Sequence, residues 1–174
     1  MDKKQVVIQL TLNSVYFFIM VGVFIYGEIP ILIGKDLFLP ARLYDPADMM
    51  RGNYLRLWYD ISSLPRNISN EEFKREQKVY VYLDEHGNPV KLSRNLEKLH
   101  SPFSHVIRGK IGRVWSDSIR IDYGLEAYFT SPEIAKRLEE RRNELKLIAH
   151  IKTTPWGDAR LYNIIEERAP LSPN

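Results

Sequence analysis

The side chains able to do acid–base or nucleophilic chemistry are few and scattered along this sequence. There are four histidines, His86, His100, His105 and His150, and no cysteine. The missing thiol excludes disulfides, thiolate metal sites and a cysteine nucleophile. His86 falls in a turn beside Asp84 and Glu85, where a solvated role is expected. His100 and His105 flank Ser101-Pro102-Phe103-Ser104, a spacing that matches no standard metal pattern. His150 shares a strand-like face with Ile148 and Lys152. Asp45, Asp48, Glu126 or a histidine could serve as acid or base, provided two of them lie within hydrogen-bond reach of each other in a cleft. No G-x-S-x-G, H-E-x-x-H, phosphate-loop or dinucleotide motif is present. No metal or cofactor is expected, and the chain reads as non-catalytic.

The charge pattern narrows the partners. Across 174 residues, 25 basic and 22 acidic side chains nearly cancel. They are interspersed, which describes a solvated surface and not a nucleic-acid footprint. The length fits one domain with an appendage.

That appendage is at the N-terminus. Met1 to Gln5 carries Lys3 and Lys4, and Val6 to Tyr26 then runs without a formal charge. Twenty-one such residues in a helix reach roughly 31 Å, the thickness of a bilayer core. Tyr26-Gly27-Glu28 offers no small-residue cleavage site, so an uncleaved span is expected. The two lysines precede the span, and Glu28 and Asp36 follow it. The positive-inside rule then puts residues 1–5 in the cytoplasm, 6–26 in a bacterial inner membrane, and 27–174 on the extracytoplasmic side.

Residues 27–174 read as one mainly β domain, a barrel or a two-layer sandwich with one packed α-helix. Strand-like runs are Glu28–Ile33 and Phe38–Tyr44, with Pro30 and Pro40 implying edge positions. Asn53 to Ile61 alternates, with Leu55, Leu57, Tyr59 and Ile61 on one face. Lys78–Leu83 and Val90–Leu92 form a hairpin, Phe103–Val114 and Ser118–Tyr123 are further strands, and Leu145–Lys152 pairs with Ala159–Ile165 across a Pro155-Trp156-Gly157-Asp158 turn. A helix is predicted from Ser131, its N-cap, to about Asn143, with Ile134 and Leu138 inward. A second helical piece is expected at Asn70–Glu76.

The most distinctive stretch is Tyr44-Asp45-Pro46-Ala47-Asp48-Met49-Met50-Arg51-Gly52-Asn53-Tyr54-Leu55-Arg56-Leu57-Trp58-Tyr59. Asp45 before Pro46 is the pattern of an N-capped turn, and Gly52 suits its left-handed stop. Asn53 then sits where turn becomes strand, and its side-chain oxygen can accept backbone N–H groups. Gly52, Tyr54, Leu57 and Tyr59 resemble the consensus of the bacterial GDYXXLXY protein family. A second stretch, Asp122 to Phe129, is similar to that family's later YGxExYF segment through Tyr123, Gly124, Glu126, Tyr128 and Phe129. The resemblance implies a membrane-associated protein with an integral membrane partner, and it brings no biochemical activity with it. Asn53 stands where the consensus has aspartate; an amide replaces a hydrogen-bonding carboxylate more readily than it replaces a ligand or a base. Type I signal peptidases are similar in having an anchor before a β domain, but their serine–lysine pair is not found.

Core and sheet packing is the expected fate of most residues in the two motifs, including Asp45, Pro46, Gly52, Leu57, Tyr59, Gly124 and Tyr128. If they form a groove, its residues are Arg51, Asn53, Tyr54 and Trp58 beside Asp122, Tyr123 and Glu126. The first reading is a membrane-anchored, non-catalytic domain that assembles with an integral membrane or envelope partner. The alternatives are a binding module for a small ligand, glycan or lipid headgroup, and an envelope hydrolase.

Overall fold

Leu55, Leu57, Tyr59 and Ile61 alternate with outward residues, and all four are at most 3 % exposed. The same period of two places Leu37, Leu39 and Ala41, then Val79, Val81 and Leu83, then Ile119 and Ile121, then Leu147, Ala149 and Ile151 in one continuous apolar core. The computed structural model describes residues 3–44, 54–100, 103–141 and 145–168.

Two helices and ten strands are ordered along these residues: α1 (Lys3–Ile33), β1 (Lys35–Leu43), β2 (Tyr54–Tyr59), β3 (Ser63–Pro65), β4 (Lys78–Leu83), β5 (Pro89–Ser93), β6 (His105–Val114), β7 (Ser118–Asp122), β8 (Ala127–Phe129), α2 (Pro132–Glu140), β9 (Leu145–Thr153) and β10 (Ala159–Arg168). The strands form two curled five-stranded sheets, β10-β9-β1-β2-β8 and β3-β7-β6-β4-β5, with antiparallel pairing throughout. Each behaves as a half-barrel around the shared core. The mainly β expectation holds, as do the hairpins β4–β5 and β9–β10.

Several local expectations do not hold. Glu28–Ile33 is not a strand but the last turns of α1. Glu28 does not end the helix because Arg160 pairs with it at 3.0 Å. Pro30 removes only its own N–H, and Gly34 N–H closes the helix on the Pro30 carbonyl at 3.0 Å. A Cβ at Gly34 would lie 2.2 Å from that carbonyl, so glycine is needed where helix turns directly into strand. Pro40 is not on an edge, since β1 pairs with both β2 and β9. Tyr44 N–H points to Arg56 of β2, so the even positions of β1 face that strand; β1–β2 register begins only at Ala41, and no ladder bond is lost at Pro40.

Residues 70–76 make bends and turns instead of a helix, with Glu76 at φ +63°. α2 stops at Glu140, capped at its start by Ser131, whose hydroxyl accepts the Ile134 N–H. Leu138 is buried as expected, but Ile134 is 36 % exposed, because this short helix covers the sheet with a single row. The short strands β3 and β8 escaped the sequence reading, being too brief to show alternation.

One buried polar pair joins a histidine to a threonine. His105 is 7 % exposed and its Nδ1 lies 3.0 Å from the Thr153 hydroxyl. Burial, with the Lys35 ammonium adding to it, pushes the imidazole below its ordinary range. The unfolded chain therefore takes up a proton that the folded chain refuses. Stability contributed by neutral His105 is complete above about pH 6.5 and is lost as pH falls from there through the depressed folded value. Thermal unfolding of the full chain in mild detergent should show a lower midpoint at about pH 5.5 than at about pH 7.5, and His105→Gln should flatten that difference. An unchanged pH dependence in the variant would show that other groups cause it.

Candidate functional site

The two motifs meet at a seam between the sheets. The chain leaves the first sheet through a 3-10 turn at Asp60–Ser62 and enters the second at β3. It returns through residues 123–126, between β7 and β8. These crossovers lie side by side, and each receives a tyrosine from the other. Tyr59 Oη donates to the Leu125 carbonyl at 2.5 Å, and Tyr123 Oη donates to the Ile61 carbonyl at 2.7 Å. Crossover backbone has no ladder partner, so these hydroxyls satisfy carbonyls that would otherwise be buried unpaired. Burial raises the pKa of both phenols, with the Glu126 carboxylate adding to the effect, so each stays a protonated donor.

The rest of the second motif serves the same turn. Gly124 takes φ +76°, which a side chain would resist. Glu126 accepts the Tyr123 N–H at 2.5 Å through Oε1, and its own carbonyl accepts the Leu57 N–H at 2.7 Å. β2 and β8 then pair as Tyr54↔Phe129, Leu55↔Tyr128 and Arg56↔Ala127. The motifs are thus joined by backbone. Asp45, Pro46, Asp48, Arg51, Gly52 and Asn53 lie outside the described residues.

Trp58 points outward from β2 into a ladder of cations and rings. It stacks on Tyr44 with centroids 5.4 Å apart, Arg56 lies over Tyr44, and Arg120 sits 4.8 Å above the Trp58 ring. Arg120 also meets Asp122 at 3.2 Å. The ladder links Trp58 to Asp122, but Trp58 does not line the cavity on the far side of Asp122. That cavity, about 510 Å³, is walled by Lys78, Arg108, Gly109, Lys110 and Asp122 to Glu126 except Leu125. Of the residues expected for a groove, Asp122, Tyr123 and Glu126 are there; Lys78, Arg108 and Lys110 are its unforeseen members. Their one sequence signal was alternation on β4 and β6, which marks them as outward without showing that they converge.

A second cavity of about 200 Å³ adjoins it and shares Arg108 and Tyr123. Its other walls are Tyr26, Gly27 and Pro30 of α1 and Gly157 to Arg160 of the β9–β10 turn. That turn occupies the edge of β6 that β7 leaves free, where Arg108 N–H donates to the Gly157 carbonyl at 2.8 Å. Asp158 is the hub of this seam. Its Oδ2 accepts from Trp156 Nε1 at 2.9 Å and from Tyr26 Oη at 3.2 Å. Its buried Oδ1 pairs with Arg108 at 2.6 Å by proximity, without an aligned hydrogen bond.

The histidines do not assemble into a centre. His86 is exposed beside Glu85 at 3.4 Å, and His100 stacks edge-on against Phe103. His150 meets Asp36 at 2.5 Å between Phe38 and Tyr162, on the outside of the β1–β9 pair, where Lys152 shares the same carboxylate at 2.8 Å. Hydrogen bonds from Lys152 and His150 hold the Asp36 carboxyl below its usual range. Among the described residues, no group of three or more histidine and carboxylate side chains could hold a metal ion.

Removing the hydroxyl of either stapling tyrosine leaves a buried carbonyl without its donor. Tyr59→Phe and Tyr123→Phe should each cost about 1–3 kcal/mol in denaturant unfolding of the full chain. A cost below about 0.5 kcal/mol for both would remove the staple from this account.

No curated protein and no solved structure matches this chain. A family model described as GDYXXLXY protein matches residues 16–164, which includes the second half of α1, both tyrosine staples, the β4–β5 hairpin and the β9–β10 hairpin as far as Ile164. With that match over most of its length, the chain belongs to the GDYXXLXY protein family.

Proposed function

We propose that this protein is a bilayer-tethered, non-catalytic domain, held on the extracytoplasmic face of a bacterial inner membrane and assembled there with an integral membrane partner. The observation that carries the reading is how α1 leaves its apolar stretch. Val7–Ile33 has a mean hydropathy of 2.0 in its most apolar window, and only 6 % of that window is buried against the rest of the protein. Beyond residue 25 the helix docks. Tyr26 bonds Asp158, the Gly27 carbonyl accepts from Arg160, and Glu28 pairs with Arg160. The undocked part, Val7 to Ile25, has roughly 28 Å of rise, which suits a hydrocarbon core. A helix whose last turns complete the domain's own hydrogen bonding is poorly suited to cleavage, which favours retention. Lys3 and Lys4 ahead of it favour a cytoplasmic N-terminus.

The non-catalytic part rests on what the motif residues do. Tyr59, Tyr123 and Glu126 are engaged in holding crossover backbone. The membrane partner rests on two amides. Thr11 and Ser14 return their hydroxyls to the Val7 and Leu10 carbonyls, each at 2.9 Å. Gln9 and Asn13, one turn apart on one face, have no such outlet among the described residues and stand exposed on the apolar stretch. An amide in hydrocarbon is stabilised by a hydrogen bond from a neighbouring helix.

Extraction of the full chain from native membranes in mild detergent should recover a specific integral membrane protein. Gln9→Leu with Asn13→Leu should reduce that recovery roughly 5- to 30-fold, as loss of about 1–2 kcal/mol of interhelical bonding implies. Recovery of nothing above background would defeat the assembly reading.

A further inference from the structure

We propose that the groove at the exit of α1 binds the headgroup of an anionic membrane phospholipid, with its phosphate on Lys78 and Lys110; this rests on the membrane-tether reading above. The two adjoining cavities make one groove through their shared Arg108 and Tyr123. One end is walled by Tyr26, Gly27 and Pro30, where the helix leaves its apolar stretch. The other end holds the lysines. A headgroup at the bilayer surface can therefore enter from the helix side while its acyl chains stay beside α1.

The charges in the groove are unequally committed. Asp122 is met by Arg120 at 3.2 Å, Glu126 accepts the Tyr123 N–H at 2.5 Å, and Arg108 is paired with Asp158 at 2.6 Å. Lys78 and Lys110 are direct partners across β4 and β6, so their ammonium groups leave the sheet side by side on one face. Lys78 lies 5.3 Å from the Tyr80 ring; Lys110 has Asp122 as its cross-strand neighbour on β7, but that carboxylate is held by Arg120, and neither lysine forms an ion pair among the described residues. Like charges facing each other across strands repel, and a phosphate between them removes that repulsion. Between them and the loop, Gly109 lets the Ile121 and Tyr123 side chains approach so closely that a Cβ there would sit 2.6 Å from Ile121. The floor is therefore shaped by packing, and the lysines stand over a cavity of about 510 Å³, room for a glycerophosphate group. Tyr26 and Trp156, at the helix-side end, are residue types that sit well at headgroup depth.

The test is native mass spectrometry of the full chain in mild detergent, with phosphatidylglycerol and phosphatidylcholine of identical acyl chains supplied in equal amounts. The wild type should retain the anionic lipid several-fold over the zwitterionic one. Lys78→Gln with Lys110→Gln should bring that ratio near one without lowering the unfolding midpoint, while Lys136→Gln with Lys146→Gln on a remote face should leave it unchanged. Equal retention of both lipids by the wild type, or loss of preference in the remote double variant, would overturn the proposal. So would displacement of the bound lipid by free glycerol phosphate at comparable concentration, which would make this a site for a soluble phosphate. Alkaline carbonate extraction of membranes separates the two claims. A chain released by carbonate sinks the tether, whereas a chain retained in the membrane without lipid preference sinks the headgroup site alone.

Discussion

Two curled sheets that enclose one core leave backbone groups without ladder partners wherever one sheet stops and the other begins. Satisfying those groups at the seams is the constraint on which this fold depends, because an unpaired buried carbonyl costs as much as a lost hydrogen bond. One seam is closed by reciprocal tyrosines, Tyr59 to Leu125 and Tyr123 to Ile61. The other is closed by the β9–β10 turn, which lends the Gly157 carbonyl to Arg108 and gathers Tyr26, Trp156 and Arg108 on Asp158. The described residues of the two family motifs belong to the first seam, and the docked C-terminal turns of α1 belong to the second.

At the first seam, titratable side chains are engaged in holding crossover backbone. A phenol whose pKa is raised by burial and whose hydroxyl is aimed at a carbonyl is a fixed donor. Glu126 has one oxygen on the Tyr123 N–H and its carbonyl on Leu57, so it closes a turn and a strand at once. The same rigidity matters for tethering. α1 passes into β1 through Gly34 alone, and its last turns are fastened by Asp158 and Arg160, so the domain has little freedom to swing relative to the helix. In the proposed membrane setting, the groove beside the helix exit is held at one depth relative to the bilayer.

The outward surfaces divide by chemistry. Arg56, Tyr44, Trp58, Arg120 and Asp122 form a ladder in which each group has a neighbour, which stabilises the exposed side of β2. On the other side of Asp122 the lysines of β4 and β6 face open space. Asp122 stands between the two and is turned toward the ladder by Arg120.

Much of this was determined by the sequence alone, because the signals are local. Period-two alternation in Asn53 to Ile61 selects the buried face of β2, an uncharged run marks α1, and Ser131 before Pro132 starts α2. Tertiary structure decided what depends on partners distant in the chain. Glu28 lets the helix continue because Arg160, far along the chain, neutralises it, and Pro40 sits in a central strand because the β1–β2 register stops one residue short of it. Lys78 and Lys110 become one site only through antiparallel pairing of β4 and β6. No periodicity within a segment encodes which segment will lie beside it; that is set by closing two sheets over one core.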